Sequence, residues 1–282
     1  MKNARWKRSV GFTRALATLL VSGSVLVSGT AASEDVDIYD GQWHFGATPY
    51  AWLPSLHGNL ELPLPSGSVS ANVQVNPSSY LSDLQFAFMI TGQARKGDYA
   101  FVYDVIWADL KGNNSRVRTL HGPNGDIELP IQANVTSKLD SGIYTFGGSY
   151  TLAHSAQGSI DAFAAVAIAD IRADANWSLT GPIGAFPQSG SLGQTKTLTQ
   201  GVFGVKGQLR LSDDGRWTMP YEVDGRVGSD STGWNGIIGV GYRFDWGDLS
   251  FAYRNLYYSM NDDKLLQGIR LTGPAVGATF RW

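Results

Sequence analysis

The run from 159 to 180, SIDAFAAVAIADIRADANWSLT, alternates residue by residue for far longer than a globular strand usually does. Phe163, Ala165, Ala167, Ala169, Ile171, Ala173, Ala175, Trp177 and Leu179 fall on one face; Asp170, Arg172, Asp174, Asn176 and Ser178 fall on the other. A period of two sends successive side chains to opposite faces of a strand, and most globular strands stop after about five or six residues. At ~3.3 Å per residue and a tilt of ~40°, this strand would rise ~50 Å, about twice the height of the apolar band of a membrane barrel. A soluble sandwich could share the alternation, because an antiparallel sheet can keep one face wet. Strand length and turn order argue against it.

Strands are expected near 43 to 53, 85 to 95, 99 to 110, 138 to 152, 159 to 180, 198 to 211, 216 to 229, 233 to 244, 248 to 260 and 268 to 282. Short polar turns (RKGDY, AHSAQGS, SDDGR, DWGD) alternate with longer connections over 111 to 130 and 181 to 197, and with a smaller one around 261 to 264. Short turns on one side and long loops on the other are the outer-membrane arrangement, with the short turns periplasmic. The expected fold is all-β: a transmembrane antiparallel up-and-down barrel of about ten strands. Residues 54 to 84 read as an additional hairpin followed by a short helical turn. An even strand count favours that hairpin standing above the membrane, with a twelve-strand barrel as the alternative. Pro49 and Pro220 each lack a ladder donor and Asn255 falls on the lipid-facing register, and bulges are expected to accommodate all three.

The front of the chain carries Lys2, Arg5, Lys7, Arg8 and Arg14 without an acid, then the apolar stretch ALATLLVSGSVLV, then SGTAAS. This is the three-part layout of a secretory leader, with cleavage suited to Ala32 or Ser33. A spanning helix needs about 20 apolar residues, and Ser22, Gly23 and Ser24 interrupt this one. The expected organisation is a leader at 1–32 and a barrel domain at 33–282. Without the leader, the formal charge of −2 becomes about −7, with 17 basic against 24 acidic residues, which argues against a nucleic-acid surface. The absence of Cys excludes disulfides and thiolate chemistry.

Aromatics gather at strand ends. Trp43, Phe45, Tyr99, Phe101, Tyr150, Trp217, Tyr242, Phe244, Phe251, Phe280 and Trp282 lie near the short-turn end; Phe86, Trp107, Trp177, Trp234 and Tyr257 lie near the other. Lipid-facing rings favour the two headgroup regions. The chain ends on AVGATFRW, in which Gly277, Phe280 and Trp282 resemble the assembly signal that closes bacterial outer-membrane barrels. Ala275 stands where that pattern prefers a polar residue, and Trp replaces the more usual Phe. The resemblance implies recognition by the barrel assembly machinery. More widely, ATPYAWLPSLHG, LQFAFM, RKGDYAFVYDVIWADL, GYRFDWGDLSFAYRNLYY and LTGPAVGATFRW are similar to a family of largely uncharacterised proteobacterial outer-membrane barrel proteins. That resemblance implies the fold and an outer-membrane location reached by secretion through the inner membrane. It carries no catalytic residue.

The register expected to face inward holds Arg95, Asp104, Asp170, Arg172, Asp174, Lys206, Arg210, Glu222, Asp224, Arg226, Arg243, Arg254 and Arg281. Charges of both signs alternate within single strands, so mutual pairing across the lumen is expected. The interior is then either a salt-bridged plug or a narrow constriction that sets the selectivity of a pore. Arg172 and Arg226 with Asp170, Asp174, Glu222 and Asp224 are the residues expected to define it. Catalysis is not expected: the histidines His44, His57, His121 and His154 form no Asp-x-His motif, and the His154–Ser155 neighbours fall in a short turn rather than toward the outer leaflet. The acidic turns SDDG and NDD serve as turn formers, and no metal or other cofactor is expected. Expected partners are outer-membrane lipid and lipopolysaccharide, with the assembly machinery during insertion and no nucleic acid. The composition of the extracellular loops names no further partner. The function expected is a non-enzymatic envelope or surface-interaction role; a narrow pore for small solutes is the alternative, with an outer-membrane hydrolase behind both.

Overall fold

The computed structural model describes residues 37–64, 67–121, 128–180, 189–260 and 266–282. The expected leader, 1–32, lies outside them. In chain order the elements are β1 (Trp43–Trp52), β2 (Ser55–Leu64), β3 (Gly67–Val75), a single helical turn α1 (Pro77–Tyr80), β4 (Leu84–Lys96), β5 (Tyr99–His121), β6 (Glu128–Ser155), β7 (Gly158–Thr180), β8 (Ser189–Arg210), β9 (Trp217–Gly228), β10 (Ser231–Phe244), β11 (Gly247–Met260) and β12 (Leu266–Arg281). From β4 to β12 each strand pairs antiparallel with the next, and β1 joins β4 to β12. The sheet therefore closes into a barrel of ten strands, as the alternation and parity predict. Closure leaves no edge along the spanning wall, the condition for a strand protein in hydrocarbon, where an unpaired amide has no water to turn to.

The last strand carries the closure. Gly46 to Trp52 run opposite Arg281 to Ala275, and Phe45 and Trp282 exchange both backbone hydrogen bonds, at 2.9 and 3.1 Å, while their rings stack. A terminal strand that would otherwise fray is held by its neighbour to the final residue. Pro49 and Pro220 sit where the ladder is interrupted. On the β1–β12 seam pairing lapses between Ala47 and Tyr50, and between β9 and β10 it lapses between Thr218 and Tyr221, with the register unchanged across each gap, so the expected bulges are replaced by a local loss of pairing on one side.

β2 and β3 form the hairpin expected above the membrane. β2 pairs with the upper part of β12, Ser55 opposite Thr272 and Leu60 opposite Leu266, and β3 does not bond to β4. The twelve-strand alternative is thereby excluded. The chain steps from β1 to β2 across Gly273: Leu53 N–H donates to the Pro274 carbonyl at 3.0 Å, and a Cβ at Gly273 would come within 2.2 Å of the Leu53 carbonyl oxygen. Only a residue without a side chain permits that approach.

Lipid-facing residues are apolar over a continuous belt. Trp43, Phe101, Phe203, Val227, Ile238, Phe251 and Val276 are each more than half exposed, far more apolar surface than a protein in water leaves uncovered. At the short-turn rim the rings touch in series, Trp217 with Tyr242, Tyr242 with Phe244, Phe244 with Trp246 and Trp246 with Phe280. At the opposite rim Phe86 meets Trp107 edge-on at 5.5 Å, and Trp234 is exposed. Asn255 keeps its outward register and is bonded there by the Thr272 hydroxyl at 2.5 Å.

Two expectations are corrected. The described parts of the segments expected as loops, 111–121, 128–130 and 189–197, are strand: β5 and β6 stay paired from Lys111 opposite Lys138 out to His121 opposite Glu128, and β7 and β8 out to Ser178 opposite Ser189. Polar residues on both faces of a strand mark its departure from lipid rather than its end. The facing of β7 is also reversed. Phe163, Ala167 and Ala169 are buried inside, whereas Val166, Ile168, Asp170 and Arg172 are exposed outside. Asp170, Arg172 and Asp174 share one parity and lie on the outer face, beyond the apolar belt. Asp170 accepts from Thr197 and Arg172 donates to Thr195 there. The physical reason is that β7 is apolar on both faces within the membrane, because its inward residues pack an internal cluster. Beyond Asp161, which faces the lumen, the charged residues from Asp170 onward therefore report the edge of the lipid.

Replacing Gly273 with Val forces β1 and β12 apart at the crossing. Such overpacking costs about 1–3 kcal/mol, and we expect a lower urea midpoint and a smaller heat-modifiable folded band on gels than for the wild type.

Candidate functional site

The lumen is organised in layers, read upward from the short-turn end. At the mouth, Arg281 on β12 grips Asp248 on β11 through both guanidinium Nη atoms, and Arg243 on β10 lies 3.5 Å from the same carboxylate. Beside it a second cluster joins β4, β6 and β7. Arg95 donates to Asp161 and, at 2.6 Å, to the Thr151 hydroxyl, which itself donates to Asp161 at 2.8 Å. The segment preceding β1 folds over this cluster. Tyr39 lies under the Arg95 guanidinium at 5.1 Å and stacks on His154 at 4.0 Å. Just outside, His44 sits 2.8 Å from Asp40, and that hydrogen bond, with the Gln42 amide, holds the Asp40 carboxyl below the usual carboxylate range.

The central layer is one connected network. Arg254 on β11 donates to Asp104 on β5 at 2.9 Å, to the Tyr50 hydroxyl on β1 at 3.1 Å and to the Asn235 side-chain oxygen on β10 at 3.0 Å. Tyr50 donates to the other Asp104 oxygen at 2.7 Å. The Asn235 amide nitrogen donates to Glu222 at 2.9 Å and to Asp224 at 2.8 Å on β9. Asp224 in turn accepts from Arg226 at 2.8 Å, and Arg226 reaches the Tyr258 hydroxyl at 3.3 Å. Every guanidinium here meets a carboxylate, which is what allows charge to remain inside a narrow interior.

Above this network the lumen is filled with apolar side chains. Trp52, Ile106, Ile143, Ala169, Leu198, Leu256, Tyr258 and Met260 form one buried cluster contributed from strands around the barrel, with Met89, Ile269 and Leu271 packed against it. The Arg254 guanidinium lies 5.0 Å over the Trp52 ring and couples the two layers. Below the network is a cavity of about 340 Å³ that extends toward the short-turn mouth, lined in part by Tyr39, Arg95, Lys206, Glu222, Arg254 and Arg281. Among the described residues no group of three or more His, Cys, Asp or Glu is placed to hold a metal.

Of the residues singled out in the sequence, Asp104, Glu222, Asp224, Arg226 and Arg254 meet in the central layer. Arg243 is inside but belongs to the mouth. Asp170, Arg172 and Asp174 are outside, as described above. The sequence reading missed Tyr50 and Asn235 as members of the central network and Asp161 as the partner of Arg95. Tyr50 and Asn235 were accessible to it, since they share parity with inward positions of their own strands. Asp161 was lost with the inverted facing of β7. Gly277 is buried at the seam, while Phe280 and Trp282 are exposed on the outer face, the disposition their alternation predicts.

No family model matches the chain, and no curated protein matches it. Among solved structures, the outer membrane protease OmpT from Escherichia coli superposes with a TM-score of 0.51 at 10% identity, covering 86% of this chain and 97% of that one. Neisserial surface protein A matches at 12% identity with a TM-score of 0.27 over 85% and 97%, and Ail from Yersinia pestis at 9% with 0.30 over 85% and 98%. The OmpT likeness shows the fold, an outer-membrane type of closed antiparallel barrel, and the resemblance noted in the sequence carries no further than that fold.

Arg254→Met would leave Asp104 buried without its cation, a change that costs about 3–5 kcal/mol. We expect the double variant with Asp104→Asn to lose less than the sum of the two single losses by about 1–3 kcal/mol, read from urea-unfolding midpoints of the refolded barrel.

Proposed function

We propose that this chain is an integral outer-membrane barrel with a sealed lumen that performs no catalysis and serves envelope structure or surface interaction. The observation that carries this reading is the apolar cluster around Trp52 and Leu256, seated on the Arg254 network. Together they occupy the interior that a diffusion pathway would need. In this reading the outer belt meets lipid and lipopolysaccharide, the assembly machinery reads Gly277, Phe280 and Trp282 during insertion after export, and the extended β5–β8 wall is the surface presented to the exterior.

A hydrolase would need a base aligned with a nucleophile or a carboxylate pair. His154 stacks on Tyr39 while Ser155 donates to Gln157, and His44 engages Asp40 at the short-turn end. These geometries support a non-enzymatic role. The cavity below the network favours a second reading, a narrow pore in which Arg254 and Glu222 set selectivity once the apolar cluster moves aside.

Planar-bilayer recording of the refolded protein separates the two. A sealed barrel gives no conductance steps, and the paired substitution Trp52→Ala with Leu256→Ala, which removes the bulk above the network, introduces them. Reproducible, ion-selective steps from the wild type would replace the sealed reading with the pore.

A further inference from the structure

The cavity below the network carries an unbalanced feature. The charged groups that line it are Arg95, Asp104, Asp161, Lys206, Glu222, Asp248, Arg254 and Arg281. Six of the eight are engaged with one another: Arg95 with Asp161, Arg254 with Asp104 and Arg281 with Asp248. Lys206 and Glu222 are not. They stand directly opposite each other in the β8–β9 ladder, and both side chains face the cavity and are only half-buried. The Lys206 ammonium makes one long hydrogen bond, 3.4 Å to Gln93. Glu222 accepts one bond, on a single oxygen, from Asn235. Among the described residues neither has an opposite charge within 4.0 Å.

A cation and an anion side by side, each with open hydrogen-bonding capacity toward one space, match a molecule that carries both charges itself. The wall beside Glu222 is apolar, made by Ile237, its direct neighbour in the β9–β10 ladder, with Ala252 and Ala275 on the next two strands. The volume of about 340 Å³ falls at the lower end of the range for small-molecule sites, roughly 300–1,000 Å³. We propose that this cavity is a binding site for a small zwitterion, of amino-acid or short-peptide size, entering from the short-turn end. Its carboxylate is received by Lys206, its ammonium by Glu222, and a small apolar side chain lies on the adjoining wall of Ile237, Ala252 and Ala275. A singly charged solute would engage only one of Lys206 and Glu222 and a neutral one neither, so the site discriminates by charge pattern. The apolar cluster above makes it a dead-end pocket, and the inference therefore goes beyond the sealed-barrel reading and does not depend on conduction.

The test is equilibrium dialysis of radiolabelled dialanine against the full chain, leader removed, refolded in detergent and checked by heat-modifiable migration. We expect saturable binding, with N-acetyl-dialanine and dialanine amide, each lacking one charge, at least ~tenfold weaker competitors, in line with the loss of one charged hydrogen bond. Lys206→Met and Glu222→Gln should each weaken binding by a similar factor. The charge-exchanged protein, Lys206→Glu with Glu222→Lys, should recover it to within a few-fold, because a zwitterion can bind in reverse. Absence of saturable dialanine binding to the folded wild type would overturn the proposal. So would competition by the blocked analogues equal to that of dialanine, or single variants that bind as well as the wild type.

Discussion

The hydrogen bonds between β1 and β12 are the constraint on which everything else depends. In hydrocarbon an unpaired backbone amide has no alternative partner, so a spanning sheet must close or not span at all. Here closure runs to the last residue, with Phe45 and Trp282 bonded in both directions. Gly273 is required where the crossing chain leaves no room for a side chain, and Pro49 and Pro220 sit at interruptions of the ladder.

Closure turns the usual arrangement of a folded protein inside out. The exterior is apolar because lipid covers it, and polar side chains accumulate within, where they must satisfy one another. The interior solves this in two ways. Guanidinium and carboxylate groups pair in the lower half, and aliphatic and aromatic side chains fill the upper half. The join is made by Arg254, bonded to Asp104, Tyr50 and Asn235 while lying over Trp52. Few side chains other than arginine can do both, since its planar face packs on a ring while its edge donates in a fixed fork.

The same economy of pairing makes Lys206 and Glu222 conspicuous. A direct cross-strand Lys–Glu pair could have closed on itself, as the arginine pairs around it do. Instead the two charges stand apart toward open volume, at the level where the lumen changes from filled to hollow. The sealed upper half and the hollow lower half are thus distinct parts of one interior, and a ligand pocket in the second does not require a passage through the first.

The strand order, the ten-strand count, the aromatic rims and the outward alternation of Phe280 and Trp282 were all legible in the sequence. They depend on a period of two and on local turn chemistry, which a linear reading captures. Asp104, Glu222, Asp224, Arg226 and Arg254 could be assigned inward for the same reason. What only the tertiary structure decided was which charges meet, how far the strands continue above the membrane, and which way β7 faces. On that strand alanines and aliphatics occupy both faces, so alternation loses its sign, and Asp170, Arg172 and Asp174 fall outside. Inward facing is a property of one strand's parity, whereas a layer of the lumen is assembled from many strands at one height. That height depends on register and tilt around the closed barrel, and no single strand encodes it.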